Sequence, residues 1–121
     1  MPIFGRLHTF SQTHNAEDQI RQTLHIARQQ SFSGQGEVAH GVKFLAHDII
    51  LFRGNSYATR QSGYDRDIDL GEVFTLSTTL TDDEVVFSKG LARPSETGTI
   101  SISHGAGGQK SVEIKSFGVV D

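Results

Sequence analysis

The apolar residues of this chain change period once, and the change falls at Ser33-Gly34-Gln35-Gly36. Before it, Ile20, Leu24, Ala27 and Ser31 recur at helical spacing while Arg21, Gln22, Arg28 and Gln29 turn outward. After it, Val38, His40, Val42 and Phe44 alternate with Glu37, Ala39, Gly41 and Lys43, the two-residue period of a strand with one buried face. No helical period returns before the last residue. A chain ordered this way has one helix and must bury its stripe on a sheet. The predicted fold class is therefore α+β: one long N-terminal helix packed on an antiparallel sheet region of short hairpins.

Ile3, Leu7, Phe10 and His14 repeat the helical spacing upstream. The pattern thus reads as a single helix over residues 5–32 with frayed first turns: residues 1–14 are the end of a longer helix, 15–32 its body, and 37–121 the sheet region of one globular domain. A shorter helix capped by Thr13 or Asn15, with Glu17 and Asp18 near its positive end, is the other legible version. The stripe formed by Ile3, Leu7 and Phe10 has no evident partner later in the sequence. It reads as a surface made to be covered by other molecules, against the plainer reading that it packs on the domain's own sheet.

In the sheet region, residues 38–44 and 49–52 form a hairpin around Ala46-His47-Asp48, the second strand being apolar enough for a central position. A brief strand is predicted at 57–60 and an acidic surface loop at 65–69, followed by strands at 73–80, 84–87, 98–103, 111–115 and 117–120. Gly105-Ala106-Gly107-Gly108 sits between two of these, where glycine supplies the positive φ of a hairpin tip.

Composition removes several function classes. The formal net charge of −3 offers no electrostatic footprint for a polyanion. Arg53, Arg60, Arg66 and Arg93 are interrupted by carboxylates, so nucleic acid is not an expected partner. With no cysteine there is neither a disulfide framework nor a thiolate cage. No run of 18 apolar residues reads as a membrane span.

The polar motifs give little catalytic chemistry. The six histidines, His8, His14, His25, His40, His47 and His104, include no i,i+4 pair and no His-x-His, so no zinc set is written locally. His40 falls on the apolar face of its strand and reads as a hydrogen-bonded core residue. Gly105 to Ser111 approaches a phosphate-binding loop, but Gln109 separates glycine from lysine and no helix follows. No serine sits in a nucleophile elbow. Asp65, Asp67, Asp69 and Glu72 offer oxygen ligands for a hard cation, yet an EF-hand loop opening at Asp65 would place Leu70 and Leu76 where glycine and glutamate are required. By themselves these carboxylates read as a solvated acidic loop, and no cofactor is assigned.

The order of the pieces carries a resemblance. The segment Ile20-Arg21-Gln22-Thr23-Leu24-His25-Ile26-Ala27-Arg28-Gln29-Gln30 resembles the globular part of the long helix in type IV pilin-like proteins, and Gly41-Val42-Lys43-Phe44 resembles the first strand after it. The succession Val86-Phe87-Ser88, Arg93-Pro94-Ser95, Gly98-Thr99-Ile100-Ser101-Ile102-Ser103, Val112-Glu113-Ile114 and Phe117-Gly118-Val119-Val120 is similar to the C-terminal half of the minor pseudopilins of type II secretion systems and of related minor type IV pilins. The resemblance spans residues 16–121 and implies a non-enzymatic structural subunit of a secretion pseudopilus or pilus. Its partners would be other pilin-like subunits of a filament or tip complex. Anchoring in the inner membrane, with the globular domain in the periplasm or outside the cell, would come from an apolar segment and a prepilin peptidase site upstream of Met1. Ile3, Leu7 and Phe10 would then be filament-interface residues. Because some major pseudopilins bind calcium in a loop before their last strands, the resemblance also implies a calcium site built partly from Asp65, Asp67, Asp69 and Glu72. Two other functions stay open: a DNA-binding minor pilin of natural transformation, and a small cytosolic ligand-binding or enzymatic α+β domain that recruits His40, His47 or His104.

Overall fold

The computed structural model describes the backbone of residues 2–34, 37–116 and 118–119, and the side chains of 12–34 and 37–116. Helix α1 runs over Pro2–Ser33 without a break, so its 32 residues make a rod about 48 Å long. It passes straight through Thr13 and Asn15, and neither caps it. It stops at Gly34, whose φ of +69° is the left-handed turn that favours glycine, and whose N–H closes on the Ser31 carbonyl at 3.1 Å.

Among the described residues eight strands follow, all paired antiparallel in two four-stranded sheets. The first has the order β3-β2-β1-β5, from β1 (His40–Phe44), β2 (Asp48–Arg53), β3 (Arg66–Asp69) and β5 (Glu84–Phe87). The second has the order β4-β6-β7-β8, from β4 (Phe74–Thr78), β6 (Gly98–His104), β7 (Gln109–Lys115) and β8 (Gly118–Val119). The class is α+β, as the change of period implies. The β1–β2 hairpin forms in the expected place, and β2 lies inside its sheet. Its turn also joins the two sheets: the Leu76 N–H donates to the Ala46 carbonyl at 2.9 Å, and His47 Nδ1 donates to the Phe74 carbonyl at 2.7 Å.

One core spans both sheets. Ala16, Ile20, Leu24 and Ala27 of α1 lie against Val42, Phe44, Ile49, Leu51, Val85 and Phe87 of the first sheet and Ile100, Ile102, Val112 and Ile114 of the second. A fully buried Leu or Ile side chain contributes about 1.5–3 kcal/mol, so Ile20 and Leu24 are the main apolar anchors of α1 on the two sheets, with Ala16 and Ala27 allowing close approach. Among the described side chains the opposite face of α1 is polar, with His14, Asn15, Gln19, Gln22, His25 and Gln29 exposed.

Two local expectations are corrected. Residues 57–60 form no strand. The Tyr57 ring meets Phe52 edge-on at 5.7 Å and stacks under the Arg60 guanidinium at 3.8 Å. Arg60 Nη1 also donates to the Tyr57 carbonyl at 2.9 Å, and the Arg60 backbone N–H turns back to the same carbonyl at 3.4 Å, where a strand would be extended. Conversely, the acidic stretch expected as a loop contains strand β3. Its ladder to β2 is supplied by partner backbone, and charged side chains are what an edge strand carries to discourage further pairing. The glycine segment 105–108 is the β6–β7 hairpin tip as anticipated, with Gly107 and Gly108 at φ +103° and +99°.

Candidate functional site

The four carboxylates singled out from sequence do not converge as one set. Asp65 is claimed by Arg60, whose Nε donates to both of its oxygens at 3.0 and 2.8 Å. Asp67 and Asp69 stand on β3, and Glu72 is exposed on the turn after it. Register places Asp48 of β2 opposite Asp69, on the sheet face that Asp67 also occupies. The pKa of Asp48 is raised above the usual carboxylate value, first because its protonated form can hydrogen-bond to Asp67, then through partial burial and the negative charges of Asp67 and Asp69; neighbouring His47 works the other way. Asp69 in addition accepts the Gly71 N–H at 2.9 Å. Asp48 was invisible as a member of this group until β3 became a strand.

A group with metal-ligand spacing appears elsewhere. On α1, His14 Nδ1 lies 3.6 Å from Glu17 and Nε2 lies 3.5 Å from Asp18. Arg21 reaches the same two carboxylates, at 3.6 and 3.3 Å. The cluster thus contains its own cation, and its two carboxylates face different nitrogens of one imidazole, a geometry suited to a helix-surface ion-pair network.

His47, His104 and His40 have structural partners. Besides its bond to Phe74, His47 flanks Asp48. His104 Nδ1 accepts the Ala106 N–H at 2.9 Å, which leaves the proton on Nε2, 2.9 Å from the Gln12 amide oxygen. That bond ties the β6–β7 hairpin to the helix. His40 is buried, and its backbone N–H and C=O are both engaged by the Ser31 hydroxyl, at 2.9 and 3.3 Å.

His40 also lines a cleft of about 200 Å³ with Gln30, Arg53, Tyr64 and Arg66. The cleft lies between the last turns of α1 and the end of the β2–β3 ladder. Pairing of His40 with Arg53 and of Leu51 with Arg66 puts the two arginines on the helix-facing side of the sheet, opposite to Asp48 and Asp67. The Arg53 guanidinium stacks on the Tyr64 ring at 3.7 Å, and its Nε is buried without a hydrogen-bond partner. In sequence these arginines look diluted by aspartates. Strand alternation separates the two signs onto opposite faces, a signal that needed β3 to be recognised.

Phe32 near the end of α1 and Leu91 in the loop after β5 are each 67% exposed. The expected filament-interface residues Ile3, Leu7 and Phe10 lie on the helix backbone, but their side chains fall outside the described ones. No helix among the described residues is long and apolar enough to cross a membrane. No protein-family model matches this chain, and no curated protein or solved structure matches it either.

Proposed function

We propose that this chain is the globular domain of a structural subunit, a minor pseudopilin or minor type IV pilin, in which α1 is the spine and the two sheets are the body it carries. The observation that supports the reading is the unbroken helix Pro2–Ser33, whose described core stripe begins at Thr13 and ends at Ser31. Ile3, Leu7 and Phe10 continue that spacing into the first turns. In this reading they are covered by the helices of sister subunits, anchoring comes from an apolar segment ahead of Met1, and the loops of the first sheet face other subunits or cargo. Catalysis has no part in it.

The test uses the full-length gene product in its own cell. The coding sequence should supply about 20 apolar residues upstream, enough to span a bilayer. A Phe10→Cys variant should crosslink to sister subunits in membranes while keeping the thermal stability of the isolated domain. If translation begins at Met1, or if Phe10→Asp unfolds the domain and leaves no assembly to perturb, the reading is overturned.

A further inference from the structure

We propose that the cleft between the end of α1 and the β2–β3 ladder is a phosphate site, taking inorganic phosphate or the phosphate group of a small monoester on Arg53 and Arg66. This inference stands independently of the filament reading.

Three observations carry it. Neither arginine forms an ion pair with a described residue, although the chain holds 14 acidic residues against 11 basic ones. The carboxylates nearest in sequence are used elsewhere: Asp65 is held in a fork by Arg60, and Asp67 is on the opposite face of the sheet with Asp48. Two guanidinium charges therefore line one cleft with no described carboxylate in its lining, in a protein whose overall charge is negative.

The second observation is the state of Arg53. Stacking on Tyr64 fixes the plane of its guanidinium and leaves the in-plane N–H edge as the only direction for hydrogen bonding. On that edge Nε is buried and has no partner. Buried polar groups are normally hydrogen-bonded, and an oxyanion accepting from Nε and the adjacent Nη would satisfy it in the fork geometry that arginine offers to phosphate. Arg66, exposed on the edge strand, lines the same cleft and supplies a second positive charge, which suits a dianion better than a monoanion.

The third is size. A space of about 200 Å³ is smaller than the roughly 300–1,000 Å³ of pockets for drug-sized ligands. It fits a phosphate with a short attached group. Gln30 at the helix end offers an amide to the rest of such a ligand.

The experiment is a ¹⁵N-resolved titration of the protein at constant ionic strength, with inorganic phosphate, glycerol phosphate, acetate and chloride as separate arms. Phosphate and the monoester should move the amide signals of Arg53, Tyr64 and Arg66 along a saturating curve in the millimolar range, and chloride should not. A tighter curve for the monoester than for inorganic phosphate identifies an attached group as part of the ligand; equal curves identify free phosphate. Arg66→Gln removes a charge from an exposed position, and Arg53→Lys keeps the charge but loses the fork. Each should weaken phosphate binding by about tenfold or more. Linear shifts shared with chloride, tighter saturation by acetate than by phosphate, or binding unaffected by both variants overturns the proposal.

Discussion

Ser31 joins three parts of the fold, and replacing it with alanine tests how much that junction contributes. Its side chain is fully buried. The hydroxyl accepts the His40 N–H at 2.9 Å and donates to the His40 carbonyl at 3.3 Å, linking the last turn of α1 to the start of β1. Its own carbonyl receives the N–H of Gly34 and, at 2.8 Å, that of Gly90 from the loop after β5. Ser31→Ala leaves the carbonyl bonds in place and removes the two hydroxyl bonds to the buried His40 backbone. Losing two buried hydrogen bonds costs about 1–3 kcal/mol, and alanine returns about 0.5 kcal/mol through its better helix propensity. The net expectation is a loss of about 1.5 kcal/mol, which for a domain of this size lowers Tm by about 5 °C. Ser33→Ala is the control, because the Ser33 hydroxyl bonds the Gln30 carbonyl on an exposed surface and its removal should change little. Urea melts and hydrogen exchange at the His40 amide read both effects. If Ser31→Ala stays within about 0.5 kcal/mol of wild type and the His40 amide keeps its protection, the accounting of the buried junction is wrong.

Two further substitutions probe packing and charge. At Gly41 an added Cβ would stand 2.6 Å from both the Phe52 ring and the Val85 carbonyl, so Gly41→Ala must move backbone of the neighbouring strand. At Gly98 the obstacles are the movable ends of Leu80 and Thr79, at 2.7 and 2.8 Å. Gly41→Ala should cost about 3 kcal/mol and Gly98→Ala about 1 kcal/mol in chemical denaturation, and the opposite order would contradict the packing described. For Asp48 the folded pKa lies above 3.8, so the folded state holds this proton more tightly than the unfolded chain does. Its carboxylate therefore weighs against the fold at neutral pH, and the penalty is relieved as pH falls through the folded pKa towards 3.8. Asp48→Asn should stabilise by about 0.5 kcal/mol at pH 7 and by nothing near pH 3. A gain of equal size at both pH values would show that charge is not the cause.

The α+β class, the extent of the long helix and most strands were legible from period alone, because a stripe at Ile20, Leu24 and Ala27 and an alternation at Val42 and Phe44 are local consequences of 3.6- and 2-residue geometry. The tip at 105–108 was legible for a similar reason, since the required positive φ is a property of the glycines themselves. The two errors share a cause. Tyr57 and Thr59 are strand-favouring residue types, but Tyr57 serves as a stacking platform for Phe52 and Arg60 nearby and for Lys43 from β1, in a segment that turns instead of extending. Residues 66–69 look like a loop, yet pairing with β2 makes them a strand, because hydrogen bonds from a neighbouring strand outweigh poor intrinsic propensity.

The charge groups followed the same division. The sequence by itself determined how many arginines and aspartates stand between residues 53 and 69, and it suggested that each sign cancels the other. Only the tertiary structure decided that Asp48, Asp67 and Asp69 share one face of the first sheet while Arg53 and Arg66 share the other, beside the end of α1. The physical reason is that a paired strand sends successive side chains to opposite faces, so charges mixed along the chain are sorted in space once β3 finds its register on β2.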